Sequence, residues 1–176
     1  MRKEHIVQAV FVAPLLLTMC FPPMSTAENV PSTPSREVIH VDIPVTFEKA
    51  NVVFVMNHLE FAGDMPVGIR YMHMLAKRYR EKHITGRIIG LFFGDAAHMT
   101  LDDRAYNAYR SVSSGNPYKE LISALIDQGV QVEECAVSMK HHTWSNEDLL
   151  PGVKVTTGAV IRLVQLTQQG YVQIQP

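Results

Sequence analysis

Three short strand-like runs, separated by stretches with helical periodicity, constrain this chain more than any other feature. Val52–Met56 is continuously apolar and residues 87–93 (R-I-I-G-L-F-F) nearly so, as expected of strands covered on both faces. The third run, residues 130–135 (V-Q-V-E-E-C), places its apolar side chains on a strand that ends at Cys135. Between the first two, Met65, Ile69, Met72, Ala76 and Tyr79 recur at three- and four-residue steps. That spacing predicts a helix over residues 65–82 with one buried stripe. Asp64 is positioned to cap it, with Pro66 in its first turn. His73 and His83 fall outside the stripe and read as solvated surface, and Met72 and Met74 read as packing rather than as a soft-metal pair.

After Gly94-Asp95 closes the second run, Thr100 and Asp103 resemble a capping box for a short helix carrying Tyr106 and Tyr109. Asn116 and Pro117 then open a helix whose apolar set is Leu121, Ile122, Leu125 and Ile126, and Gly129 supplies its left-handed stop. Beyond Cys135, Trp144, Ser145, Asp148 and Leu149 fit a capped single turn with a hydrophobic staple, which assigns the lone tryptophan to fixing a loop. A short strand over 153–155 follows. Thr157 is placed to cap a final helix with Val160, Leu163 and Val164 inward, and residues 171–174 form a last strand. Upstream, Ile39, Val41, Ile43 and Val45 alternate with polar residues as in a half-buried strand, which Pro44 confines to a sheet edge or to no sheet. Strands alternating with helices predict an α/β class: a single Rossmann-like domain, its mostly parallel sheet covered by helices on both faces.

The first 27 residues read as a cleaved secretory signal peptide: Arg2 and Lys3, a mostly apolar run over 6–21, then Ser25 and Ala27 before the cut. The run contains Gln8 and Pro14 and is short for a membrane span, so a retained anchor is the weaker reading. Met19 stands where lipidation of Cys20 needs a small residue. Residues 28–37, rich in proline and small polar side chains, form a flexible lead, and residues 38–176 form the domain. This places the protein in the periplasm, with no membrane association after cleavage.

Cleavage leaves Cys135 as the one thiol, in a compartment that favours disulfides, so it is spare, intermolecular or reactive. Sixteen basic against seventeen acidic residues give a net charge of −1, with no basic stripe to bind nucleic acid. Neither G-x-G-x-x-G nor G-x-x-x-x-G-K-[ST] occurs, so no nucleotide cofactor is expected.

A thiol beyond the carboxyl end of a parallel strand sits where such sheets bind ligands. Backbone N–H groups of the next helical turn, with Ser138, Lys140, His141 or His142, would lower its pKa. Glu133, on the same strand face, opposes this; Glu134 points the other way. Asn57, His58 and Asp95, at neighbouring strand ends, would line the same crevice. A soft-metal alternative brings Cys135, His98, Met99, His141 and His142 together.

The pattern E-x-C-x-x-x-M-K at 133–140 is followed by W-x-x-E-D-L-L-P-G-V-K-V-x-x-G-A-x-x-R-L-x-Q-L-x-Q-x-G-Y from Trp144. With G-D-A-A-H from Gly94 and G-N-P-Y-K-E-L-I from Gly115, it resembles the DsrE/DsrF-like family, here as an exported branch. The resemblance covers residues 52–176. It implies a parallel-sheet domain assembled as trimers or hexamers. It also implies a sulfur carrier or sulfurtransferase in which one cysteine holds a persulfide, exchanged with a protein or a small sulfur compound. Cys135 is the position that matches. The alternative is a non-catalytic, oligomeric module that binds a small ligand or partner through the same fold.

Overall fold

The computed structural model describes residues 39–176; the expected signal peptide and flexible lead lie outside the described residues. Residues 43–176 form one compact unit, and residues 39–42 belong to a separate N-terminal one. In chain order the elements are β1 (Val52–Met56), a small antiparallel pair β2 (Phe61–Ala62) and β3 (Met65–Pro66), α1 (Val67–Lys82) and β4 (Ile88–Phe92). A 3-10 segment (Gly94–Thr100), α2 (Asp103–Arg110), α3 (Lys119–Asp127), β5 (Gln131–Cys135) and α4 (Ala136–His142) come next. A 3-10 turn (Asn146–Asp148), β6 (Lys154–Thr156), α5 (Ala159–Gln168) and β7 (Val172–Ile174) complete the domain.

The main sheet runs in the order β6-β5-β4-β1-β7, with every pairing parallel. Strand alternation divides its side chains between two cores. Phe54, Phe92 and Val132 face α1 and α3, meeting Ile69, Met72, Ala76, Ile122 and Leu125. Val53, Ile89, Leu91 and Cys135 face Ala159 and Leu166 of α5. The expected α/β class, parallel sheet and two-sided helix cover are all present.

The structure departs from the sequence reading mainly at element ends. Ile39, Val41, Ile43 and Val45 are exposed and form no strand; Pro44 removes one ladder donor from so short a segment. Asp64 does not cap α1. It sits in the tight turn joining β2 to β3, where Gly63 has φ 65°, and Pro66 holds the cap position without a side-chain bond. Asp102, accepting from Ala105 N at 2.7 Å, caps α2 and frees Thr100 for another role. Asn116 accepts from Tyr118 N at 2.9 Å, one turn ahead of the helix that begins at Lys119. Thr157 does not cap α5; Gly158 occupies that position. On α5, Leu163 packs against the core as expected, together with Ala159 and Leu166, while Val160 and Val164 are exposed. The turn over Asn146–Asp148 carries both halves of the expected Ser145–Asp148 capping box.

Candidate functional site

Cys135 ends β5 and is also the cap residue of α4, so its thiol lies where the first N–H groups of a helix lack partners. The chain leaving β4 turns toward the α1/α3 face, burying Ala96 and Met99 there, whereas the chain leaving β6 starts α5 on the opposite face. The two paths part beside β5, and the gap between them is an open pocket of about 390 Å³. Phe93 and Gly94 wall one side, residues 158–161 the other, and Cys135, Val137 and Ser138 form the floor. Gly94 makes the turn off β4 at φ 57°, a conformation that favours glycine. None of the side chains lining the pocket carries a charge.

The thiol is nearly enclosed, at 4% exposure. Its Sγ accepts the Ala159 N–H at 3.3 Å, so the first turn of α5 finds in the cysteine the acceptor that Thr157 does not supply. Burial is the largest single influence on its pKa and pushes it up. The N–H groups of Ser138, Ala159 and Val137, with the Ser138 hydroxyl, outweigh it together and hold the thiol below its ordinary value. Donors on two separate helices therefore converge on one sulfur. Ser138 is fixed in turn by Gly94 N, which donates to its Oγ at 3.1 Å.

The two glutamates before Cys135 are both removed from the pocket. Glu133 shares the face of Cys135, as strand alternation requires, but both its oxygens are held by Arg162 of α5, at 2.8 Å and 2.7 Å. Glu134 is completely buried on the other face; its Oε1 accepts the Cys135 N–H at 3.0 Å and its Oε2 lies 2.9 Å from Thr100 Oγ1. Burial raises the pKa of Glu134, and the thiol charge adds to that rise.

Of the residues expected at the site, Cys135 and Ser138 meet in the pocket. Lys140 and His141 lie in the last turn of α4, exposed and outside the lining. Asn57, His58 and Asp95 gather at the ends of β1 and β4: Asn57 Oδ1 lies 2.7 Å from His58 Nδ1, and Asp95 N donates to the Asn57 carbonyl at 3.1 Å. This group adjoins the pocket through Gly94 but does not line it. Sequence reasoning missed Ala159 and Phe93 in the pocket and the pairing of Glu134 with Thr100; the G-A pair at 158–159 in the quoted motif was the signal available for Ala159.

His98 is buried among Tyr106, Tyr109 and Tyr118 with ring centroids 5.8–5.9 Å away, and burial holds its pKa below the ordinary imidazole value. His142 stacks on Trp144 at 4.5 Å. These residues form a separate aromatic cluster. Among the described residues, no group of three or more His, Cys, Asp or Glu side chains is placed to share a metal, so the soft-metal set does not converge.

The DsrE/DsrF-like family matches residues 72–176. No curated protein matches the chain. Among solved structures, one similar in fold is a protein of unknown function from Methanobacterium thermoautotrophicum, with a TM-score of 0.52 and 21% identity over 72% of this chain and 99% of that one. The ychN protein from E. coli aligns at a TM-score of 0.48 and 17% identity, over 71% and 99% of the respective chains. With that match spanning more than half of its length, and a parallel sheet of the expected kind, this chain belongs to the DsrE/DsrF-like family.

Proposed function

We propose that the protein is a sulfur carrier acting through Cys135. The observation that supports this most is the convergence of N–H donors from α4 and α5 on the Cys135 sulfur at the floor of an open pocket. Such donors stabilise a thiolate, the nucleophile that sulfur transfer needs. The thiolate attacks the outer sulfur of a persulfide R–S–SH. A Cys135–S bond forms, the donor's S–S bond breaks, and R–S⁻ leaves with the electron pair; the proton stays on the new Cys135 persulfide. Ser138 supports the thiolate; Asn57, His58 and Asp95 adjoin the pocket through Gly94, and Lys140 and His141, in the last turn of α4, lie outside its lining. The donor and acceptor are a protein or a small sulfur compound.

The same reading makes the protein exported and periplasmic, on the sequence pattern of residues 1–27, and oligomeric. Exposed Val160, Ile161 and Val164 on α5 support association of copies as trimers or hexamers. The test is intact-protein mass spectrometry before and after incubation with polysulfide. The expected result is a gain of sulfur atoms that dithiothreitol removes and Cys135→Ser lacks; no gain in the wild type refutes the carrier. The 4% exposure of Cys135 favours a second reading, a non-catalytic binding module with a passive thiol. A thiol that resists alkylation until the protein unfolds would select it.

A further inference from the structure

The Thr100 hydroxyl lies 2.9 Å from the Ala97 carbonyl and 2.9 Å from Glu134 Oε2. A hydroxyl has one proton and two lone pairs, whereas a carbonyl oxygen only accepts. One arrangement gives every contact a proton: Glu134 Oε2–H donates to Thr100, and Thr100 O–H donates to Ala97. Glu134 Oε1 then stays free to accept the Cys135 N–H at 3.0 Å. An ionised Glu134 breaks this chain, because the single Thr100 proton cannot serve both neighbours.

We infer that Glu134 is a positioning residue held as a neutral acid, tying the β5–α4 junction to the 3-10 segment while placing no negative charge beside the Cys135 thiolate. The inference rests on the reading of Cys135 as the reactive group. Burial acts in the same direction: with a smaller contribution from the Cys135 charge, and against the lowering effect of its two hydrogen bonds, it pushes the Glu134 pKa up to about 9. The neighbouring elements offer no cation in contact. β4 has no ionisable side chain. Asp95 and His98 on the 3-10 segment and Lys119, Glu120 and Asp127 on α3 make no hydrogen bond to Glu134. Lys140, His141 and His142 on α4 and Lys154 on β6 make none either.

The test compares wild type with Glu134→Gln, whose amide reproduces both the donor to Thr100 and the acceptor for Cys135 N–H. A carboxyl whose folded pKa is raised stabilises fully below its unfolded pKa, and that contribution is lost as pH rises to the folded pKa. The window here runs from the ordinary carboxyl value of 4.5 to about 9. Urea unfolding should show the wild-type folding constant, relative to the variant, falling about tenfold per pH unit across that window and levelling above it. A ratio independent of pH overturns the inference. The second readout is the pH profile of Cys135 alkylation, which a merely structural role would not fix: Glu134→Gln should keep the wild-type midpoint. A more acidic midpoint in the variant would mean that a carboxylate had been removed, and would overturn it. Infrared spectroscopy of the wild type covers a variant that fails to fold. A protonated-carboxyl band at neutral pH supports the neutral acid, and its absence refutes it. If Cys135 proves unreactive in both proteins, the carrier reading fails while unfolding and infrared still decide the state of Glu134.

Discussion

Glu133 and Glu134 are adjacent on β5 and equally hidden, at 3% and 0% exposure, yet the fold handles them in opposite ways. Strand alternation sends Glu133 toward α5, where Arg162 meets both its oxygens, and sends Glu134 toward the 3-10 segment, where it meets one hydroxyl and one amide. A buried carboxyl beside a cation remains charged and pairs; one beside neutral dipoles keeps its proton. The comparison teaches that sequence proximity of acid to a reactive thiol says little about its electrostatic effect. Both acids immediately precede Cys135, and neither lines the pocket.

The comparison breaks most strongly at Arg162. Arg162→Ala leaves Glu133 buried with only the neutral Gln131 amide as a side-chain partner, so it should lower stability by about 3 kcal/mol in urea unfolding at neutral pH. On the opposite face, Thr100→Val removes one neutral link in the Glu134 network and should lose only about 1–2 kcal/mol, read from the same titration. A loss at Thr100 as large as that at Arg162 would erase the distinction between the two faces.

Two smaller changes probe the thiol between them. Ala159→Pro removes one N–H donor at the first position of α5, where proline is tolerated and where extended Gly158 already suits it. The Cys135 pKa should rise, and alkylation at neutral pH should slow several-fold, with some loss of stability because the proline Cδ takes the place of the N–H aimed at the sulfur. Lys140→Ala should have the smallest effect, shifting stability by less than about 0.5 kcal/mol and leaving the alkylation rate as it was. A large fall in that rate would restore the cation to the site.

The sheet, its parallel sense and its helices were legible because hydrophobic period survives single-residue errors. Caps were not, because several residues compete for each helix end. Thr100 has the local spacing of a cap for α2, but Asp102 takes that position and the hydroxyl serves Glu134, 34 residues away. No periodicity encodes such a pairing; the clue was a pair of acids in a strand that had to be buried. For α5, three apolar residues suggested one inward face. The helix keeps Leu163 against the core but adds Ala159 and Leu166 in place of Val160 and Val164, in keeping with an entry that brings the Ala159 N–H to Cys135. The position of the thiol was thus readable in the sequence, and the donors from α5 that hold it were not.

β7 lies beside β1, joining Val172–Ile174 to Val52–Phe54, although these are the last and first strands of the domain. In a nascent chain emerging from the ribosome, β1 can gain β4 early, while its other side waits for the final strand. Closing so large a loop comes late in assembly, since its entropy loss precedes any reward from pairing. Cys135 and its donors lie across β4 from that unfinished edge. Cys135 and its pocket can therefore be organised before the sheet is complete, and a folding intermediate lacking β7 would already present that thiol together with an exposed strand edge.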